Sequence, residues 1–291
     1  MNKLVGFGFG FSGLAFARAL AARGFAVAGT AREAAKVEAL RGEGFAMAVF
    51  DGSGPVGDEG LFEGATHLLD SIPPMRDSVC PPLDWHSADI ARLEDIAWIG
   101  YLSTTGVYGD HGGDWVDEAT VPMPDLERSA RRLEAEQNWL AMHERYGVPV
   151  HVFRLAGIYG PGRGVLEQVR SGRARRIVKP GQVFSRIHVD DIVQVLEASM
   201  ARPNPGAIYN VCDDEPEAPD VVVEYACELL GVTPPEPVAF EDADLSDMAK
   251  SFYADNKRVR NDRIKDELGV TLKHPGYRQG MAADLEVLSR G

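Results

Sequence analysis

Apolar residues gather in short runs along the first half of the chain, and longer helix-forming segments separate them. Lys3 to Phe7 is a short apolar run, as a buried strand requires. Leu14 to Ala22, rich in alanine and leucine, is a strong helix former. Phe25 to Thr30 reads as a second strand, entered through Gly24 at a helix C-terminus. Glu33 to Leu40 reads as helix and Phe45 to Phe50 as a third strand. Residues 51 to 64, rich in Gly, Asp and Pro, read as loop. Thr66 to Ser71 is a fourth strand, stopped by Ile72-Pro73-Pro74, and Ala97 to Ser103 a fifth. A long helix from Arg128 to Tyr146 is stopped by Gly147, and Val150 to Leu155 forms a sixth strand. Strands alternating with helices predict an α/β protein with a doubly wound parallel sheet.

After Gly157 the pattern loosens. Pro161-Gly162, Pro180-Gly181, Pro203 with Pro205-Gly206, and Pro234-Pro235 punctuate it. Ile192 to Ala201 still reads as helix, Ala207 to Val211 as strand, and Asp220 to Leu230 as helix ended by Gly231. The 291 residues therefore divide into a dinucleotide-binding domain over 1–157, to which 188–211 returns, and a smaller, interleaved domain over 158–187 and 212–291. The cleft between two such domains is the default ligand site.

The junction of first strand and first helix carries the chemistry. It reads Gly8-Phe9-Gly10-Phe11-Ser12-Gly13, three glycines at Gly-x-Gly-x-x-Gly spacing. The first glycine allows a tight turn, the second lets the backbone approach a pyrophosphate, and the third lets helix and strand pack closely. The helix N-terminus then faces the phosphates. Between a strand and a helix, this spacing predicts a Rossmann-type turn with Phe11 and Ser12 beside the cofactor. Cofactor choice turns on the end of the second strand, Gly29-Thr30-Ala31-Arg32. Thr30 takes the tip position, where an NAD site usually has an acid, and Arg32 suits a 2′-phosphate through its paired donors. Glu33 would become the ribose acid if the register shifted. The expectation is NADP, with NAD as the alternative.

Composition narrows the partners. Lys and Arg total 30 against 44 Asp and Glu, a formal charge of −14. This argues against nucleic acid as a partner, because phosphate neutralisation needs a basic surface, while leaving room for an anionic ligand held by a local arginine cluster. No run reaches the roughly 18 apolar residues of a membrane helix, so no membrane association is expected. Met1-Asn2-Lys3 leads straight into the first strand and leaves no room for a signal peptide. Cys80, Cys212 and Cys227 are widely spaced and odd in number, which fits reduced, inert thiols in a cytoplasmic protein.

Four stretches resemble the extended short-chain dehydrogenase/reductase family, the NAD-dependent epimerase/dehydratase type. They are the glycine turn, Leu102-Ser103-Thr104-Thr105-Gly106-Val107-Tyr108-Gly109, Arg154-Leu155-Ala156-Gly157-Ile158-Tyr159-Gly160-Pro161-Gly162, and Arg186-Ile187-His188-Val189-Asp190-Asp191. Tyr209-Asn210-Val211 adds to them, and the likeness runs from residue 3 to about residue 280. The family's catalytic pair is Tyr-x-x-x-Lys at the start of a long helix. Aligned on Leu133-Glu134-Ala135-Glu136-Gln137, the tyrosine position holds Arg128 and the lysine position Arg132, so the chain is an atypical member by this likeness. A guanidinium does not titrate in the working range, so Arg128 does not replace a phenol. Arg132 still offers hydrogen bonds to the cofactor ribose and a positive field.

The resemblance assigns further candidates. Thr104 matches the family's Ser/Thr position at the end of the fifth strand, where its hydroxyl would meet a substrate oxygen, with Ser103 and Thr105 as neighbours sharing the task. Tyr108 and Tyr159 are candidate replacements for the missing acid, set against a bland reading as packed aromatics. Pro161 falls in the segment beside the nicotinamide and Asp51 where the family contacts adenine. Ser71, Ile72 and Pro73 would line the cofactor through their backbone. Arg186 would hold an anionic group of the substrate. Asp190 and Asp191 read as helix-capping residues. One histidine, His188, beside two aspartates supplies too few ligands for a metal, so none is expected. Two basic runs, Arg170 to Lys179 and Lys257 to Arg260, are charged surfaces that could meet a phosphate.

Together these readings imply an NAD(P)-binding oxidoreductase or epimerase-like enzyme of unusual catalytic layout. Its family default is a small-molecule substrate, a sugar nucleotide, and a homodimer through the helix 128–146. The alternative, motivated by Arg128 and Arg132, is a cofactor-binding sensor or scaffold without turnover.

Overall fold

A computed structural model describes residues 1–290, and Gly291, the end of the smaller domain read from the sequence, lies outside them. In chain order the first elements are β1 (Lys3–Phe7), α1 (Phe11–Ala22), β2 (Ala26–Ala31), α2 (Ala34–Gly42), β3 (Ala46–Val49), β4 (His67–Asp70), α3 (Pro81–Ala91) and β5 (Trp98–Thr104). There follow β6 (Trp115–Val116), α4 (Glu127–Tyr146), β7 (Val150–Leu155), β8 (Gly157–Tyr159), α5 (Val165–Arg170), β9 (Arg176–Val178) and β10 (Arg186–His188). The last are α6 (Val189–Ala201), β11 (Ile208–Val211), α7 (Pro219–Leu230), β12 (Pro237–Ala239), α8 (Asp247–Phe252), β13 (Arg258–Val259), α9 (Asp262–Asp266) and α10 (Tyr277–Arg290).

Seven strands form one parallel sheet in the order β11-β7-β5-β4-β1-β2-β3. From β1 the order runs one way through β2 and β3, and the other way through β4, β5, β7 and β11. The reversal beside β1 is a topological switch point, where open α/β sheets hold ligands beyond their strands' carboxyl ends. The glycine turn lies at that point because it directly follows β1. The α/β, Rossmann-type expectation therefore stands, with strand limits shifted by at most one residue.

Several elements had no counterpart in the sequence reading, among them α3, β6, α5, β12 and α10. Helix α3 begins on Pro81-Pro82, a pair that suits the first helical positions, where no N–H is needed. A short 3-10 turn, Glu59–Phe62, lies within the stretch read as loop. Helix α6 also begins at Val189, before the expected Ile192.

The chain divides into two compact units. The first comprises Met1–Thr104, Glu127–Arg154 and Val195–Tyr209. Its core joins Val5, Phe7, Leu68, Ile99 and Val152 of the sheet to Ala135, Trp139 and Met142 of α4. Those three helix positions recur at the spacing of one helix face. The second comprises Thr105–Leu126, Leu155–Gln194 and the chain from Asn210 onward. Its core packs Tyr159 and Leu166 with Val222, Ala226, Tyr277 and Met281. The segment 105–126, read from the sequence as part of the first domain, belongs to the second unit. There β6 pairs with β13, and Glu118 accepts the Asn210 N–H at 2.7 Å. Residues 188–194 likewise lie in the second unit rather than the first.

All three cysteines are free and buried. No helix among the described residues is long and apolar enough to cross a membrane.

Candidate functional site

Each glycine of the turn has its own physical reason. Gly8 has φ +76°, a left-handed conformation that strains any other residue, and a Cβ there would lie 2.7 Å from Ile72 Cγ1. Gly13 packs against the floor of the turn, where a Cβ would sit 3.0 Å from Ser71 Oγ and 3.1 Å from the Gly8 carbonyl. Gly10, the residue that starts α1, has nothing within 4 Å of its Cβ position. The space at its Cβ position is therefore open.

The turn is held from two sides. Thr30 accepts the Gly8 N–H on its Oγ1 and the Phe9 N–H on its carbonyl, both at 3.0 Å. Ser71 Oγ bonds the Gly8 carbonyl from the β4 side. Phe9 is 1 % exposed, and its ring fills the space left by Gly6 and Gly29, two glycines the motif spacing did not include. Ser12 is buried in the first turn of α1, with no partner for its Oγ among the described residues. Phe11 opens that helix and is half-buried.

The reading of Thr30 as the strand tip is corrected by these contacts. Strand β2 runs on to Ala31, so Thr30 lies fully buried inside it and serves the turn. The tip passes to Ala31 and Arg32. Here Gly8, Phe9, Gly10, Ala31, Arg32, Glu33 and Lys36 line a hollow of about 290 Å³. Lys36, in the first turn of α2, was not singled out from the sequence. Asp51 is exposed beyond β3, and its Oδ1 accepts from Ser53 N at 2.9 Å and Ser53 Oγ at 2.7 Å. This local turn holds its carboxyl below the usual range.

At the end of β5 a buried polar network replaces a simple hydroxyl row. Ser103 Oγ donates to Glu136, which is 1 % exposed and faces Arg154, 3 % exposed. Arg154 donates through Nε at 3.1 and 3.2 Å and through Nη2 at 2.7 Å. Sequence reasoning used Glu136 only as an alignment landmark and missed this pair. Ser103 is thereby committed to Glu136, whereas Thr104, the last residue of β5, is half-buried. Arg132 donates to the Leu102 carbonyl at 2.6 Å, with its guanidinium 5.9 Å from the centre of the Tyr101 ring. Asp70, at the end of β4, accepts from Ile72 N and from Trp139 Nε1, each at 2.9 Å. Burial pushes its carboxyl up to about 7 against those hydrogen bonds and the Arg132 charge. Arg128 is exposed on α4.

The remaining candidates lie in the second unit. Tyr108 is fully buried and donates to Asn210 Oδ1 at 2.7 Å. Tyr159 is 4 % exposed, stands edge-on to His188, and has its hydroxyl 3.4 Å from the Gly276 carbonyl. Burial, with Asp213, Asp191 and Asp284 nearby, drives its phenol far above the usual range. Arg186 is buried and donates to the carbonyls of Phe184 at 2.8 Å and Glu217 at 3.1 Å. Thr105 begins the 3-10 turn Thr105–Tyr108, and Pro161 is exposed within the turn from Gly160 to Arg163.

Asp190 and Asp191 lie in the first turn of α6 as expected, where their charge suits the helix dipole, but the capping contact is made elsewhere. His188 Nδ1 accepts the Asp190 N–H at 3.1 Å, so the histidine caps α6. Asp191 instead accepts the backbone N–H groups of Lys273 and His274. In the basic runs, Arg170 pairs with Glu167 and Arg176 with Glu224, while Lys257 bonds the Gly109 carbonyl and Asp255.

The chain is similar to known proteins over most of its length. Residues 87–212 match the model of the NAD dependent epimerase/dehydratase family. A functionally unknown conserved protein from Silicibacter pomeroyi DSS is 51 % identical, with a TM-score of 0.91 over 99 % of both chains. Protein YeeZ of Escherichia coli K12 is 28 % identical over 94 % of this chain and 97 % of its own. A UDP-glucose 4-epimerase from Thermotoga maritima, solved with UDP-glucose, shares the fold. It has a TM-score of 0.83 at 19 % identity over 100 % of this chain and 99 % of its own.

Proposed function

The chain belongs to the NAD-dependent epimerase/dehydratase family, of the extended short-chain dehydrogenase/reductase type, and from that premise we propose that it binds NADP(H) and works on a sugar-nucleotide-like substrate. The open backbone at Gly10, beside the hollow that Arg32 and Lys36 share, carries the reading. The residues fit a dinucleotide. Amides of the Gly8–Gly13 turn, at the start of α1, would take the pyrophosphate. The Arg32 and Lys36 cations would take a 2′-phosphate, with Glu33 as the one opposing charge in the hollow. A dinucleotide held by these residues would supply hydride transfer through its nicotinamide.

The chain's own residues supply orientation. Thr104, on the last position of β5, offers a hydroxyl to a substrate oxygen, and the Ser103–Glu136–Arg154 network beneath it fixes the strand end. Arg132 places a permanent positive charge beside that end, which favours oxyanion character in a bound hydroxyl. A sugar nucleotide is supported by the Thermotoga maritima epimerase, which shares the fold and was solved with UDP-glucose.

Calorimetric titration with NADP⁺, NADPH, NAD⁺ and NADH tests the cofactor. NADP(H) is expected to bind more tightly. Arg32→Ala should weaken NADP(H) by about 10- to 100-fold, the scale of a charge-assisted contact, and leave NAD(H) unaffected. Equal affinities for the two pairs in the wild type would refute the 2′-phosphate site.

A second reading, a cofactor-binding sensor without turnover, is favoured by the burial of Tyr108 and Tyr159 together with arginine at positions 128 and 132. Nicotinamide absorbance with a panel of sugar nucleotides separates the two. Absorbance changes that Thr104→Val suppresses support the enzyme, and tight cofactor binding without turnover supports the sensor.

A further inference from the structure

The second unit holds a cluster that neither the cofactor turn nor the β5 end uses. His188, Asp190 and His274 each offer one ligand atom, and the three atoms lie within 4.8 Å of one another. Asp190 Oδ2 is 3.7 Å from His188 Nδ1 and 3.4 Å from His274 Nε2. Two ligands about 2.0 Å from a tetrahedral metal stand about 3.3 Å apart. The two separations, 3.4 and 3.7 Å, lie just above such an edge, and the third is within 4.8 Å, so small side-chain rotations would close the three atoms on an ion. The side chain of Asp190 is 54 % exposed, which leaves an approach from solvent.

Both histidines are held in place by a buried carboxylate. Asp284, 3 % exposed, faces His188 Nε2 at 3.0 Å. Since Nδ1 accepts the Asp190 N–H, the proton of the neutral ring sits on Nε2, toward Asp284, and the Nδ1 lone pair is held by the helix-end amide. A carboxylate behind a histidine is the usual support of a metal ligand, because it fixes the tautomer and raises basicity. Asp191, fully buried, grips the backbone N–H groups of Lys273 at 2.6 Å and His274 at 3.0 Å. That grip brings the second imidazole to the first, with ring centres 4.1 Å apart. A cation at Nδ1 competes with one helix-end amide, a contact worth about 1 kcal/mol, which a metal–imidazole bond exceeds.

We propose that His188, Asp190 and His274 form a binding site for one divalent transition-metal ion, with Zn²⁺ the best match to two imidazoles and a carboxylate. Asp284 acts as a positioning residue. The ion would join the start of α6 to the segment around His274, stabilising the second unit by mass action.

The test uses full-length, tag-free protein stripped with a chelator. Zinc chloride alone is titrated by calorimetry, and cobalt chloride by visible absorbance. The expected result is one ion per chain, with the intense ligand-field bands of four-coordinate Co²⁺. His274→Ala and Asp190→Ala should each abolish that stoichiometric binding. Asp284→Asn should weaken it by about 10- to 100-fold while the stoichiometry stays at one. Absence of a one-per-chain site in the wild type would overturn the proposal. So would isotherms unchanged in both ligand variants, which place the ion elsewhere. Should His274→Ala fail to fold, Asp190→Ala decides alone, since its side chain is half in solvent.

Discussion

Alanine substitution of the turn glycines separates a cofactor cradle from a merely tight loop. In Gly10→Ala the new methyl has no protein atom within 4 Å, and the backbone at φ −72° and ψ −160° suits any residue. Alanine is a poorer helix N-cap than glycine, but it also lowers the entropy of the unfolded chain. The two effects oppose each other, so stability should change by less than about 1 kcal/mol. A pyrophosphate approaching that backbone meets the methyl directly. Overpacking of one methyl in a close contact costs about 1–3 kcal/mol, hence roughly 5- to 150-fold in affinity. Gly13→Ala behaves differently, because its methyl stands 3.0 Å from Ser71 Oγ and 3.1 Å from the Gly8 carbonyl. It should lower the melting temperature as well as the affinity. Gly8→Ala adds a left-handed backbone to a 2.7 Å approach on Ile72 and should be the least stable of the three. Differential scanning calorimetry and NADPH fluorescence titration read both quantities on the same samples. A Gly10→Ala variant with wild-type melting and wild-type affinity refutes the cradle, because the open face would then have no ligand.

Two further variants probe the scaffold beneath the site. Glu136→Gln leaves the Arg154 charge buried without the carboxylate that faces it, at a cost of about 3–5 kcal/mol. Replacing both partners, Glu136→Leu with Arg154→Met, should recover most of that loss in urea denaturation, and a single variant within about 1 kcal/mol of wild type would contradict the pairing. The Asp70 carboxyl rises from 3.8 to about 7 on folding, so the folded state binds its proton more tightly than the unfolded state. Its contribution is fully present below pH 4 and lost as pH rises through 7, with an upper bound of about 4 kcal/mol. Urea midpoints should therefore fall between pH 5 and pH 8, and Asp70→Asn should flatten that fall. Asp213, raised to about 8 by burial, adds a slope of the same sign that persists in the variant. Identical slopes in wild type and Asp70→Asn would assign the effect elsewhere.

What could be read from the chain was what is local. The run Lys3 to Phe7, the three glycines and the following helix occupy some twenty consecutive residues, so spacing alone specifies the turn. Arg32 was legible for the same reason. Lys36 lies in the first turn of α2, and only the observed hollow shows that both residues line one space. Thr30 was misplaced because a one-residue extension of β2 moves the tip and turns an exposed position into a fully buried one. Asp190 and Asp191 fit a capping pattern, but histidine took that role and freed Asp191 to clamp backbone from a distant segment. The order of strands along the sheet was not written in any single run either, because it follows from how the runs pair.

The network at β5 illustrates the harder case. Ser103, Glu136 and Arg154 come from a strand, a helix and a second strand, and no spacing rule links them. Each alone has an ordinary surface reading, and their joint burial is what turns them into a fixed support for Thr104. The phenols reverse this logic. Tyr108 and Tyr159 stand in motif-like surroundings, yet one is spent on Asn210 and the other lies under the Gly276 carbonyl with its proton held tightly. A hydroxyl used as a proton donor to substrate needs an open face and a pKa brought down toward the working pH, and burial among carboxylates moves it the other way. Under the proposed function, Thr104 at the end of β5 would hold the substrate oxygen while solvent carries the proton, and the expected outcomes are a turnover rate that rises with pH and a Thr104→Val variant that loses it.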